Sequence, residues 1–202
     1  WFACATTLAD ALAVQEAGAD AVVAQGIEAG GHRGTFEPDA AERTAVGLFA
    51  LLPQLVDNLR VPVVAAGGIA DGRGVAAALA LGASAVQVGT ALLRTPEAGI
   101  DKDWSSALQG LPPEHTVTTR AYSGRLGRAV PTPYVLSWTD PDAPAPARYP
   151  DQRRLVARWR RAEGHTLDKV NFWAGQGAAL ATEDRAATVV TRMWEDAREL
   201  LA

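Results

Sequence analysis

The first half of this chain predicts a parallel α/β fold, and three observations carry that prediction. Short strand-like runs, apolar on both faces, alternate with segments that carry helix caps, a pattern suited to parallel strands covered by helices. The stretch Gly18-Ala19-Asp20-Ala21-Val22-Val23-Ala24-Gln25-Gly26 is echoed by Gly82-Ala83-Ser84-Ala85-Val86-Gln87-Val88-Gly89-Thr90. Each reads helix stop, polar turn, buried strand, then polar or glycine residues at the strand's C-terminal end. Glycines also gather just beyond strand ends, at Gly26 to Gly34, Gly67-Gly68 and Gly89.

Taken in order, Phe2 to Ala5 reads as a short apolar strand. Thr7 to Asp10 reads as a capping box, with the Thr7 hydroxyl accepting a free N–H and Asp10 answering it. The helix that follows runs through Leu12, Ala13 and Ala17 and stops at Gly18. Ala21 to Gln25 is the second strand. A glycine-rich loop follows, then a segment without clear form, then a helix over Leu51 to Leu59. Val61 to Ala66 is the third strand, and Gly67-Gly68 a tight loop. Asp71 N-caps a helix over Gly72 to Leu81, which Gly82 ends. Ala85 to Val88 is the fourth strand. Beyond Thr90, Pro112-Pro113 and the run Pro131 to Pro150 predict ordered loops that wrap the scaffold, with Tyr134, Trp138 and Tyr149 interspersed. Helices are expected near Gln152 to Glu163, Leu167 to Ala174 and Glu183 to Leu201. The opening Trp1 to Thr6 enters a buried strand with no polar lead-in, so the chain is expected to begin inside a fold.

Composition narrows the function classes. The 202 residues are 48% hydrophobic and 21% charged, with a net charge of -4, which fits a globular core and shows no basic surplus for a nucleic-acid partner. No apolar run approaches the ~20 residues needed to cross a bilayer, so no membrane partner is expected. The single Cys4 fits a reducing, cytoplasmic compartment. Arg153, Arg154, Arg158, Arg160 and Arg161 read as a solvated helix face rather than an anion site.

Two motifs carry chemistry. Val63 to Gly72 ends a strand in two glycines, whose bare backbone can expose N–H groups to a ligand. Gln87-Val88-Gly89-Thr90 ends the next strand with more bare amides and a hydroxyl. One Gly-Gly alone would be a tight turn; two such ends one βα unit apart point to a phosphate. The second motif is Gln25-Gly26-Ile27-Glu28-Ala29-Gly30-Gly31-His32-Arg33-Gly34. Here His32 sits among glycines at the same end of the strands, where a neutral imidazole can take a proton from an acidic carbon or bind an anionic substrate. His115 and His165 lack such a setting and read as structural. No dinucleotide fingerprint, no metal-ligand spacing and no G-x-S-x-G elbow occurs.

At these residues the sequence resembles the nitronate monooxygenase family, formerly the 2-nitropropane dioxygenases. The matching stretches are Gly18 to Gly26, Glu28 to Gly34, Pro62 to Gly72, Leu81 to Thr90, Tyr122 to Arg128 and Trp173 to Gln176. The resemblance implies a TIM (β/α)8 barrel that binds FMN, with residues 1–110 as its C-terminal half, strands five to eight, and residues 111–202 as a mainly helical lid. It implies His32 as the catalytic base toward a nitroalkane or nitronate. Gln25, Gly30 and Gly31 would contact the flavin, and Gly67, Gly68, Gln87, Val88, Gly89 and Thr90 would cradle its phosphate. Ser123 would line the substrate side and Gln176 the flavin side; molecular oxygen would be the co-substrate. The family pattern has an asparagine shortly after Ser123-Gly124-Arg125, where this chain has Pro131-Thr132-Pro133. It also has four earlier strands, so a complementing N-terminal half or a second copy is expected to close the barrel. Competing readings are a flavin-dependent enoyl-acyl-carrier-protein reductase using NAD(P)H and a non-catalytic flavin- or phosphate-binding fragment. An inosine-phosphate dehydrogenase relative is weaker, because Cys4 lies in no catalytic loop.

Overall fold

The computed structural model describes residues 1–162 and 168–202. Its elements are β1 (Phe2–Ala5), α1 (Leu8–Glu16), β2 (Ala21–Gln25), β3 (Gly31–His32), α2 (Leu48–Asn58), β4 (Val63–Ala66), α3 (Gly72–Ala80) and β5 (Ala85–Gln87). There follow α4 (Lys102–Leu108), β6 (Val117–Thr119), β7 (Gly127–Ala129), α5 (Pro133–Ser137), α6 (Asp151–Arg160) and α7 (Ala186–Leu201), with short 3-10 turns between them. Among the described residues no helix is long and apolar enough to cross a membrane.

Four strands pair in parallel in the order β1-β2-β4-β5. Spatial order follows chain order, with no reversal. That is the winding of an arc of a barrel, since a doubly wound open sheet reverses at a switch point. The register sets Ala24 beside Ala65 and Ala66 beside Gln87, so all four C-terminal ends lie at one edge.

Side-chain parity then divides the sheet. Val22, Ala24, Val63 and Ala65 face the helices and join Leu51, Leu52, Leu55 and Val75 in the main core. Ala21, Val23, Val64 and Ala66 form a separate cluster on the other face. Both faces are apolar, as the strand runs predict, but the second carries only small side chains and so leaves space above it.

The local signals act as expected with two changes. Thr7 Oγ1 accepts from the Asp10 N–H at 3.1 Å, but the Asp10 carboxylate turns to the Thr6 hydroxyl at 3.1 Å rather than to the Thr7 backbone. Gly18 and Gly82 end their helices at φ +93° and +94°, so the repeated unit also repeats its conformation. Asp71 caps α3 through the Gly74 N–H at 3.1 Å. Helix α2 begins at Leu48, three residues earlier than expected. Its N–H is taken by both Glu28 carboxylate oxygens at 2.9 and 3.0 Å, a cap supplied from 20 residues away.

The second half differs more. The proline-rich stretch holds α5, and β6 and β7 form an antiparallel sheet with the two-residue β3, in the order β3-β7-β6. The helix expected over Leu167 to Ala174 is absent from its described part. Residues 168–174 form no helix; Phe172 and Trp173 pair instead with the strand before them, with Val130 N bonded to the Phe172 carbonyl at 2.9 Å and a bridge between Ala129 and Trp173. Its apolar residues serve strand-like pairing, which the spacing alone does not distinguish from one helix face. Helix α6 is present to Arg160; Glu163, Leu167 and His165 lie outside the described residues. Helix α7 packs on α3, joining Val189, Met193 and Ala197 to the main core.

Replacing Asp71 by Ala should lower stability by about 1 kcal/mol, read from urea unfolding at constant m-value.

Candidate active site

At the C-terminal edge of the parallel sheet lies a cavity of about 340 Å³. Its floor is the inner face, Phe2, Cys4, Val23, Gln25, Ala66 and Gln87, which alternate along their strands. Its rim comes from four glycine-rich segments, at Gly30, Gly67 and Gly68, Gly89 and Thr90, and Gly175 and Gly177. Gly67 and Gly68 take φ +116° and +70°, the left-handed region that side chains disfavour. Among the described residues, the N–H groups of Gly67, Gly68, Gly89 and Thr90 have no acceptor in the protein. A Cβ built on Gly89 meets nothing within 4 Å, so this residue borders open space. No charged side chain lines the cavity. Uncommitted donors in a wall without charged side chains fit an anionic group such as a phosphate ester.

The glycine loop beyond β2 is held by three arginines, two of them buried, that the sequence alone did not single out. Arg33, only 2% exposed, donates to the Gly26 carbonyl at 2.6 Å and the Gln25 carbonyl at 3.2 Å. Arg128 donates to Ile27 at 2.9 Å and to the Thr116 hydroxyl at 2.8 Å. Arg125 donates to the carbonyls of Arg33 at 3.0 Å and Thr35 at 2.7 Å. The available signal was the Arg of the histidine motif and two more in Tyr122 to Arg128; what they bind is main chain.

This scaffold places His32. Gln25 spans the loop, donating to the His32 carbonyl at 2.9 Å while its own oxygen accepts from Gly34 N at 2.8 Å. His32 Nε2 lies 2.7 Å from Ser123 Oγ, and the ring meets Trp173 edge-on at 5.0 Å and Tyr149 at 6.3 Å. Burial, and then the charges of Arg125 and Arg153, hold the His32 pKa below its ordinary value. A neutral imidazole can accept a proton. The ring itself is not in the cavity wall; Gln25, which is bonded to the His32 main chain, lines the cavity.

The other expected residues divide. Gln25, Gly30, Gly67, Gly68, Gln87, Gly89 and Thr90 share the cavity. Gly31 instead pairs with Arg128 across β3 and β7. The Val88 side chain turns into a separate apolar groove with Val75, Leu92 and Met193. Gln176 does not line the cavity; its N–H bonds to the Glu28 carbonyl at 2.9 Å and its side chain reaches Pro113. Gly175 and Gly177 on either side of it do line the cavity. Gly175 N donates to Thr90 Oγ1 at 2.9 Å. A Cβ on Gly30 would come within 2.5 Å of Gly175 N, so only glycine permits this approach. Among the described residues no cluster of His, Cys, Asp or Glu suits a metal ion.

The family model described as nitronate monooxygenase matches residues 2–196 of the chain. The chain belongs to the nitronate monooxygenase family. It is 45% identical over 200 residues to a nitronate monooxygenase of Paraburkholderia phytofirmans, covering 98% of this chain and 54% of that protein. A Pseudomonas aeruginosa nitronate monooxygenase is 46% identical over 198 residues, 96% of this chain and 56% of that one. Among solved structures, nitroalkane oxidase from Streptomyces ansochromogenes superposes with a TM-score of 0.82 at 39% identity, over 100% of this chain and 59% of that chain. FabK from Thermotoga maritima does so at 0.77 and 32% identity, over 99% and 61%. The chain thus spans just over half the length of the curated relatives it matches, and its parallel sheet is part of a TIM-type barrel.

Replacing Arg33 by Leu removes the guanidinium donor from the Gly26 and Gln25 carbonyls and should cost about 2 kcal/mol, measured by chemical denaturation. The His32 imidazole, followed by NMR, should titrate with a midpoint below 6.5. Since the unfolded chain then binds the proton more readily, the stability linked to His32 is present above pH 6.5 and is lost as pH falls from there through the folded midpoint.

Proposed function

We propose that the protein is an FMN-dependent oxidoreductase that oxidises nitronates or nitroalkanes with molecular oxygen, with His32 as its base. The observation that carries this reading is the row of uncommitted amides at Gly67, Gly68, Gly89 and Thr90, one side chain away from a neutral histidine. In this reading those amides and the Thr90 hydroxyl hold the FMN phosphate. Gln25, Gly30 and the small inner face of Cys4, Val23 and Ala66 border the ring system. Bound there, FMN would supply the one-electron redox chemistry of substrate oxidation.

The chain's own residues then do four things. The amide cradle anchors the anionic end without a reorganisation cost. Gln25 fixes the His32 main chain and so the distance between imidazole and cavity. Ser123 holds Nε2 and orients the ring. The low pKa keeps His32 unprotonated, able to take the acidic proton on the carbon beside a nitro group or to donate to a nitronate oxygen once protonated. Residues 1–110 would form the half-barrel and residues 111–202 the lid. The free edges of β1 and β5 would be met by the remainder of the barrel or a second copy.

The visible spectrum of the purified protein tests this directly. Flavin bands that bleach on anaerobic addition of a nitronate, without NAD(P)H, are the expected result. Bleaching by NAD(P)H alone would favour enoyl-acyl-carrier-protein reduction. A colourless protein that cannot be reconstituted with FMN would overturn the reading. Gly67→Val should weaken FMN binding tenfold or more, about 1.4 kcal/mol, by fluorescence titration. His32→Asn should keep its flavin but lose roughly a hundredfold or more in kcat/KM on a nitroalkane.

A further inference from the structure

We propose that Trp173, Tyr122, Tyr134 and Trp159 form a one-electron relay that carries oxidising equivalents from beside the His32 ring to the protein surface. It rests on the function proposed above only for the source of the oxidant, an organic substrate radical left by one-electron oxidation.

The rings make an unbroken line. The Trp173 indole meets the His32 ring at 5.0 Å, centroid to centroid. Tyr122 stands edge-on to Trp173 at 5.1 Å and 83°. Tyr134 stacks on Tyr122 at 5.5 Å and 17°, and Trp159 stacks on Tyr134 at 4.9 Å and 25°. Tyr122 and Tyr134 are buried, whereas Trp159 is 36% exposed. Indole and phenol are side chains that give up one electron to organic radicals, and here each touches the next.

Aromatic packing alone would account for the contacts. It does not account for the proton acceptor. The Tyr122 hydroxyl donates to the Asp168 carboxylate, which also accepts from Thr132 Oγ1 at 2.6 Å. Asp168 is buried and sits at φ +35°, an uncommon conformation for a residue with a side chain. A phenol loses an electron readily only if its proton leaves as well, and Asp168 is positioned to take it. The Arg160 guanidinium, 5.5 Å from the Tyr122 ring centre, penalises a cationic ring and so favours the neutral tyrosyl. Among the described residues the Tyr134 hydroxyl donates to the Ala121 carbonyl at 3.1 Å, which cannot take a proton. Tyr122 is therefore the resting place of the electron hole, and Tyr134 a bridge to Trp159.

The steps balance. A substrate radical takes an electron from Trp173 and a proton from water, giving the closed-shell molecule. Tyr122 refills Trp173, passing its phenolic proton to Asp168. Trp159 refills Tyr122 through Tyr134, and Asp168 returns the proton. Trp159 loses its indole proton to water. The net change is one hydrogen-atom equivalent moved from Trp159 to the substrate radical.

The test places an oxidant inside without using the cofactor. A thiol-linked ruthenium-polypyridyl photo-oxidant is attached at His32→Cys in a Cys4→Ser background, then oxidised by flash and quencher. A tyrosyl absorption that decays into a tryptophanyl one, with oxygenated Trp159 found by peptide mass spectrometry, is the expected result. Tyr122→Phe should abolish the Trp159 product. Trp159→Phe, at an exposed position that tolerates change, should leave a persistent tyrosyl signal by electron paramagnetic resonance. Equal Trp159 oxidation with and without the Tyr122 hydroxyl, or oxidation confined to Trp173, would overturn the relay. A protein that retains no flavin yet passes this test would fail the function reading while keeping the relay.

Discussion

The site depends on main-chain carbonyls being met by guanidinium groups. The loop from Gly26 to Gly34 leaves a parallel strand and has almost no ladder of its own. Buried carbonyls without donors are costly. Arg33, Arg125 and Arg128 supply those donors at Gln25, Gly26, Ile27, Arg33 and Thr35. Their charge is spread over several oxygens rather than paired with one carboxylate, which suits a planar, multi-donor group. That arrangement has an electrostatic by-product, since the Arg125 charge helps to hold His32 neutral.

A second constraint is strand register. Because β4 and β5 pair with Ala66 beside Gln87, the glycine turns after each strand fall side by side. A slip of one residue would turn Gln25, Ala66 and Gln87 toward the helices and exchange the cavity floor for the core face. The same parity explains why Val88 leaves the cavity while its neighbours on either side stay in it.

Much of the first half was legible because its signals are local. Caps such as Asp71, stops such as Gly18 and Gly82, and doubly apolar strands act within a few residues. The cavity was legible for the same reason, since glycines at strand ends are local features that the parallel sheet then brings together. What the sequence did not disclose is non-local. The Glu28 cap on α2, the pairing of Gly31 and His32 with β7, and the meeting of Ser123 with His32 all join distant segments, with no local pattern to mark them. The expected helix before Ala174 fails for this reason too: its apolar residues answer to Ala129 and Val130, far back in the chain, and not to their own neighbours.

Residues 174 to 176 donate three successive amides, to the Arg128 carbonyl, the Thr90 hydroxyl and the Glu28 carbonyl. Each partner comes from a different part of the chain, and the last is 148 residues away. Closing loops of that span costs entropy that βα units do not pay. Closure of the cleft therefore costs more chain entropy than the βα units beneath it, and these three amides are expected to exchange with solvent faster than those of the strands.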